Sequence, residues 1–146
     1  MGASAASTQL IFFISAILVS SVVVGVATSS VFDLTSGIDD RSNTVKNQLT
    51  TDIEIINDQG AVPNNPVLVY VKNIGSTTLN QELITVMLDG TVVANRTLSL
   101  TGSGSAYWES SSVLTVSITQ TLSAGDHTVT VTTENAISDR LDFRIA

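Results

Sequence analysis

The chain of 146 residues contains no cysteine, which excludes a disulfide-stapled scaffold. With a single histidine as well, it lacks the usual ligands of a zinc site. It has 6 basic residues against 13 acidic ones, a net charge of −7. No basic stripe exists to neutralise phosphates, so nucleic acid is excluded as a partner. There are only 2 prolines, and both fall between residues 58 and 66. The most informative absence is local. Residues 1–32 carry no charged side chain, although the chain as a whole is 13% charged. The entire −7 therefore belongs to residues 33–146, about one ordinary domain. The mean hydropathy of +0.35 averages an apolar arm with an acidic remainder.

From Leu10 to Val26 the arm is interrupted only by Ser15, Ser20 and Ser21 among apolar and small residues. Thr8 to Phe32 as a helix is about 37 Å long, against a hydrocarbon core of roughly 30 Å. The arm, residues 1–32, is therefore predicted to be a membrane-spanning anchor helix. A cleaved secretory signal is the alternative, since Ala27-Thr28-Ser29 imitates a cleavage site. Against it stand the length of the run and the absence of Lys or Arg ahead of it. Ser21, Gly25 and Ser29 are spaced i, i+4, i+8 and share one helix face. Small side chains there are candidates for close helix packing. Arg41 and Lys46 follow the span, and taken alone would place that end in the cytoplasm.

Residues 33–50 form a neck. Val31, Leu34, Ile38, Val45 and Leu49 recur at spacings near a heptad, while Asp39, Asp40, Arg41 and Lys46 take other faces. The membrane helix is predicted to continue through this neck to about Thr50. Over residues 8–50 it would be roughly 64 Å long. Its apolar stripe (Leu34, Ile38, Val45, Leu49) needs a partner: the same neck in a second copy, another subunit, or the domain that follows.

From Thr51 the period changes to two. Strands are expected at Asp52–Asn57, Val67–Asn73, Ile84–Leu88, Thr91–Arg96, Ser112–Thr119, His127–Thr133 and Arg140–Ile145. Thr97–Leu100 either extends its predecessor or begins a new strand. Asp89-Gly90 is a strong hairpin signal, Gly102 to Ser105 reads as a loop, and Ser123 to Asp126 as a turn. Short strands punctuated by turns over residues 51–146 predict an all-β, immunoglobulin-like antiparallel sandwich. Leu114, Val116, Ile118, Val129 and Val131 should face its core. Val113, Thr115, Ser117, Thr119, Thr128, Thr130 and Thr132 should face out, making uncharged surfaces that can offer an edge to a partner.

No catalytic pattern emerges. There is no G-x-S-x-G, H-E-x-x-H, P-loop or G-x-G-x-x-G. His127, beside a turn, reads as a surface residue. Asp39-Asp40 and Asp139 with Asp142 lack calcium-loop spacing. The expectation is a non-enzymatic protein with no cofactor and no metal. Asn95-Arg96-Thr97 is the one N-x-T sequon, so Asn95 is a candidate N-glycosylation site if the domain lies outside the membrane.

Several stretches carry a family likeness. They are Asp39-Asp40-Arg41-Ser42, Thr51-Asp52-Ile53-Glu54-Ile55-Ile56-Asn57-Asp58, Val71-Lys72-Asn73-Ile74-Gly75, Leu88-Asp89-Gly90 and Ala124-Gly125-Asp126-His127-Thr128-Val129-Thr130-Val131. In this order, behind an apolar helix, the chain resembles the FlaG/FlaF family, accessory proteins of the archaeal flagellum (archaellum), and its FlaG side in particular. The resemblance covers essentially the whole length. It implies a stator component: a single-pass helix in the archaeal cytoplasmic membrane with the C-terminal domain outside. Implied partners are a FlaF-like subunit, further copies of itself, and the S-layer protein. That topology overrides the two-charge argument from Arg41 and Lys46. The alternative is a filament subunit, archaellin or type IV pilin-like. Such subunits carry a basic stretch before a cleavage glycine, and Met1-Gly2 has none. A membrane-tethered hydrolytic module would need a catalytic constellation.

Overall fold

The computed structural model describes residues 2–101 and 107–146, with side chains from Ser4 onward. The expected loop from Gly102 to Ser105 lies outside the described residues. Helix α1 (Gly2–Thr50) is continuous. The chain divides into two compact units, Met1–Asn43 and Thr44–Ala146. The last turns of the helix therefore belong with the β domain.

In the first unit the helix is long and apolar enough to cross a membrane. Its large apolar side chains, from Leu10 to Phe32, are exposed all round. Several of its hydroxyls are satisfied internally. Ser21 Oγ donates to the Ile17 carbonyl at 2.8 Å, Thr28 Oγ1 to Val24 at 2.8 Å, Ser29 Oγ to Gly25 at 3.0 Å and Ser30 Oγ to Val26 at 3.0 Å. Back-bonding of this kind lets a polar residue sit where no water is available. It explains how an uncharged run tolerates so many Ser and Thr.

Among the described residues of the second unit ten strands follow: β1 (Ile53–Ile55), β2 (Val67–Asn73), β3 (Leu79–Asn80), β4 (Thr85–Leu88), β5 (Thr91–Val92), β6 (Arg96–Leu100), β7 (Tyr107–Trp108), β8 (Val113–Ile118), β9 (Gly125–Thr132) and β10 (Ser138–Ile145). One four-stranded sheet has the order β1-β2-β8-β6, the other β10-β9-β4-β5, and β3 pairs with β7. These are the two orders of an immunoglobulin-like sandwich, A-B-E-D against G-F-C-C′. All pairings are antiparallel.

The five residues expected from alternation face inward, joined by valines of two further strands. Val69 and Val71 of β2, Leu114, Val116 and Ile118 of β8, Val86 of β4, and Val129 and Val131 of β9 are buried in one cluster. Thr97–Leu100 does not extend β5. It belongs to β6, which crosses to the other sheet and pairs with β8. The strand β5 is cut to two residues, and the expected turn at Gly125-Asp126 is instead the start of β9. One further expectation needs qualifying. The outer face of the second sheet is not uniformly Ser and Thr, because Arg140, Asp142 and Arg144 form a charged row on β10 beside Thr128 and Thr130.

Candidate functional site

The densest polar construction in the β domain is where α1 ends. A helix terminus leaves its last carbonyls without partners. No glycine follows Thr50 to cap them locally. Instead, Thr51 covers the Asn47 carbonyl, one distant loop covers the Thr50 carbonyl, and a second loop ties down Thr51. The Thr50 carbonyl accepts from Ser76 N–H (2.9 Å) and Thr77 N–H (3.2 Å), and the two threonine hydroxyls meet at 2.7 Å. The Asn47 carbonyl accepts Thr51 N–H (3.0 Å) and Thr51 Oγ1 (2.6 Å). Asn135, in the β9–β10 turn, donates its side-chain amide to Thr51 Oγ1 at 2.8 Å. The Asp52 carbonyl accepts both Ile74 N–H and Gly75 N–H at 3.0 Å.

Gly75 is required here by close approach. A Cβ at this position would lie 2.5 Å from Asp52 N and 2.6 Å from the Thr50 carbonyl oxygen. Behind it, Asn73 is fully buried. Its amide donates to the carbonyls of Thr77 (2.9 Å) and Trp108 (3.1 Å), and its Oδ1 accepts Gly75 N–H at 3.1 Å. Trp108, also fully buried, donates Nε1–H to the Ser112 carbonyl at 3.1 Å. The chain thus clamps the last helical turn with a loop, a hairpin turn and a buried amide. Periodicity could not find this, although Asn73 and Gly75 stand in one of the stretches carrying the family likeness.

His127 is not a simple surface residue: its side chain is only 12% exposed. Nδ1 lies 2.7 Å from Asp89 Oδ2, and Nε2 lies 2.9 Å from the Ser123 carbonyl. The ionised Asp89 carboxylate and the Ser123 carbonyl only accept, so the imidazolium is the form of the ring that makes both bonds. Asp89 Oδ1 also accepts Thr128 N–H at 2.8 Å. Ser, His and Asp are thus assembled, but through the serine carbonyl. Neither ring nitrogen is free to act as a base. The bond to Asp89, then that to Ser123, raises the His127 pKa above its ordinary value. The bonds from His127 and from Thr128 N–H lower that of Asp89.

The sign of the pH effect follows. The His127 contribution is fully present below about pH 6.5, its unfolded value, and is lost as pH rises through the raised folded value. The Asp89 contribution is present above about pH 3.9 and is lost on acidification. Because the Asp89 side chain is 46% exposed, the pair is solvent-screened and contributes about 0.5 kcal/mol. Thermal melts should fall by roughly 2–4 °C between pH 5.5 and 9 on this account. His127→Gln should remove that part of the slope, and an unchanged slope would dismiss the clasp as a stabilising contact.

The helix-packing candidates Ser21, Gly25 and Ser29 lie on exposed helix, and a Cβ at Gly25 would meet nothing within 4 Å. In the neck, Leu34 (66%), Ile38 (59%), Val45 (52%) and Leu49 (82%) are exposed. Val45 and Leu49 belong to the β-domain unit, which leaves them uncovered. Asp139 and Asp142 face opposite ways. Asp139 accepts Ile55 N–H at 2.7 Å, whereas Asp142 accepts the Thr128 hydroxyl and Arg140 on the outer face. Thr128 and Arg140 lower the Asp142 pKa. Among the described residues, no three His, Asp or Glu side chains converge on a metal position. Asn95 is exposed in a bend just before β6.

The sequence model of the archaeal-type flagellin family matches residues 2–143. Flagella-related protein G of Methanococcus voltae is 34% identical over 96 residues, 62% of this chain and 64% of that protein. The chain thus spans just under two thirds of that relative's length. Flagella-related protein G of Methanocaldococcus jannaschii is 31% identical over 110 residues, 70% of this chain and 71% of that protein. Two solved structures are also similar. The archaellum periplasmic stator protein FlaG of Sulfolobus acidocaldarius covers 64% of this chain and 99% of its own, with 21% identity and a TM-score of 0.49. A chain of the FlaF–FlaG stator complex from the same organism covers 62% and 87%, with 18% identity and a TM-score of 0.44. The named relatives are flagella-related proteins, in keeping with the expectation of a non-enzymatic chain. With a match running from residue 2 to residue 143, this protein belongs to the archaeal-type flagellin family.

Proposed function

We propose that the protein is a membrane-anchored, non-rotating component of the archaellum motor, a stator element. In this reading residues 1–32 anchor it in the archaeal cytoplasmic membrane, residues 33–50 form the neck, and residues 51–146 form a sandwich outside. A rotary motor works only against something that does not turn. The sandwich would be held by its neighbours, a FlaF-like subunit or further copies, and by the S-layer protein. The observation that carries the reading is the clamp at Thr50 and Thr51. The final turn of the long N-terminal helix is tied down by loops of the β domain, which suits a part that must pass load between its ends. The two relatives named flagella-related protein G support the same system.

Deleting the gene should leave cells with absent or non-rotating filaments. Affinity capture of the full chain from native membranes should recover a FlaF-like protein and the S-layer protein. The family description, archaeal-type flagellin, favours a second reading as a filament subunit. Abundant protein in sheared filaments would replace the stator reading with that one. The neck stripe supplies a sharper test. Ile38→Asp together with Val45→Asp puts two charges on exposed apolar positions. Assembly should weaken at least tenfold while the melting temperature of the sandwich stays unchanged. Assembly at wild-type strength would remove the stripe from the interface.

A further inference from the structure

Among the described residues the two sheets present four edges, and three are protected. At β1, the Ile55 N–H is taken by the Asp139 carboxylate at 2.7 Å. At β10, Arg144 N–H donates to the Gln59 carbonyl at 3.1 Å, and Arg140, Asp142 and Arg144 line the outer face. At β5 the edge is only two residues long. The fourth edge, β6, has five residues and reads Arg-Thr-Leu-Ser-Leu. Thr101 N–H donates to the Val113 carbonyl at 3.0 Å, continuing the β6–β8 register. Antiparallel alternation then turns the N–H and C=O of Leu98 and Leu100 away from β8, toward the open edge. An open edge of this length, its one charged side chain (Arg96) tied to the Val93 and Ile84 carbonyls, is a template for unwanted strand pairing.

The sequon sits at the start of this edge, and its geometry is built. Arg96 is turned inward and tied down: Nη1 donates to the Val93 carbonyl at 2.8 Å and Nη2 to the Ile84 carbonyl at 2.7 Å. Its backbone N–H reaches the Ala94 carbonyl at 3.2 Å, closing a tight bend around Asn95. With the middle residue pinned, Asn95 and Thr97 on either side are both exposed. The two residues that a sequon must display are the two that the fold displays.

We propose that Asn95 carries an N-linked glycan and that this glycan masks the β6 edge against strand pairing. The assignment rests on the extracytoplasmic placement proposed above. In the transfer, Asn95 Nδ2 forms a bond to the anomeric carbon of a lipid-phosphate-linked oligosaccharide. The bond from that carbon to the phosphate oxygen breaks, and the lipid phosphate leaves with the electron pair. The amide proton goes to a base of the membrane transferase. No oxidant or reductant is needed. Leu98 and Leu100 lie about 10 and 17 Å along the strand from Asn95, within the sweep of a short oligosaccharide.

The test uses full-length protein purified from native archaeal membranes. Mass spectrometry of the peptide spanning Asn95–Thr97 should show an oligosaccharide mass. That mass should vanish in Asn95→Gln and Thr97→Ala and persist in Thr97→Ser, which keeps the sequon. By sedimentation in detergent, Asn95→Gln should self-associate more strongly than wild type. Adding Ser99→Lys, a charge at the exposed edge, should reverse that. Added mass with unchanged association in Asn95→Gln would overturn the masking role. Because the chain has no cysteine, Ala124→Cys gives a single reporter of sidedness. If it reacts with a membrane-impermeant maleimide on intact cells but no glycan is found, the glycan is overturned and the topology stands. If it stays unlabelled and no glycan is found, the topology reading has failed and takes this inference with it.

Discussion

Gly75→Ala should lower the melting temperature of the β domain by about 12–20 °C and leave cells non-motile. The added methyl would have to occupy space 2.5 Å from Asp52 N and 2.6 Å from the Thr50 carbonyl oxygen. Both neighbours are backbone, so no side chain can swing aside. The loop must withdraw from the helix end, and in doing so it lengthens the bonds from Ser76 and Thr77 to Thr50 and from Gly75 to Asp52. Overpacking of this kind costs about 3 kcal/mol, a large share of a total stability of about 5–15 kcal/mol. For a domain near 100 residues that converts to the shift given above. Gly60→Ala is the matched control, since its Cβ would meet only the Asp58 carboxylate at 3.7 Å. A Gly75→Ala melt within about two degrees of wild type would refute the clamp. A full melting shift with normal swimming would instead separate the clamp from the motor role.

Asn73→Asp should be comparably severe, and its severity should depend on pH. The side chain is fully buried and its amide serves two carbonyls, those of Thr77 and Trp108. An aspartate has the same shape but no N–H. Ionised, it places a charge against two carbonyl oxygens, with only Gly75 N–H donating to it among the contacts Asn73 now makes. A buried charge left without partners costs about 3–5 kcal/mol, and a neutral carboxyl still satisfies only one of the two carbonyls. Burial would raise the folded pKa of the new carboxyl above about 3.9, so the variant loses stability relative to wild type as pH rises above that value. Denaturant unfolding should show a deficit of about 4 kcal/mol at pH 7, shrinking by at least half at pH 4. Equal deficits at both pH values would mean that packing, rather than charge, dominates the position. Asn73→Ala separates the two, because it removes the amide without introducing a charge.

Both predictions fall on residues that no periodicity singles out. Asn73 closes a strand pattern and Gly75 sits in what reads as an ordinary turn. Their importance comes from distant partners: Thr50, which the Gly75 loop meets from 25 residues away, and Trp108, which lies 35 residues from Asn73. The same holds for His127, which reads as a surface residue until Asp89, 38 residues earlier, is brought to its ring. The ambiguity at Thr97–Leu100 has a related origin. Alternation identifies a strand but not its neighbour, and the crossing of β6 to the opposite sheet depends on its pairing with β8.

What the residues determined alone is what depends on local composition and period. An uncharged run from residue 1 to residue 32 reads as a helix able to cross a membrane, since a bilayer asks only for length and apolarity. Alternation picked out Leu114, Val116, Ile118, Val129 and Val131 as core, because a strand's side chains switch face at every step. Asp89-Gly90 marked a hairpin because the turn demands those residue types. Tertiary structure decided how the helix end is capped, which edge stays open and how His127 is held. Each of these depends on partners distant in sequence: Asn135 reaches Thr51 across 84 residues. No local pattern encodes such a pairing, because it exists only once two sheets have closed over a common core.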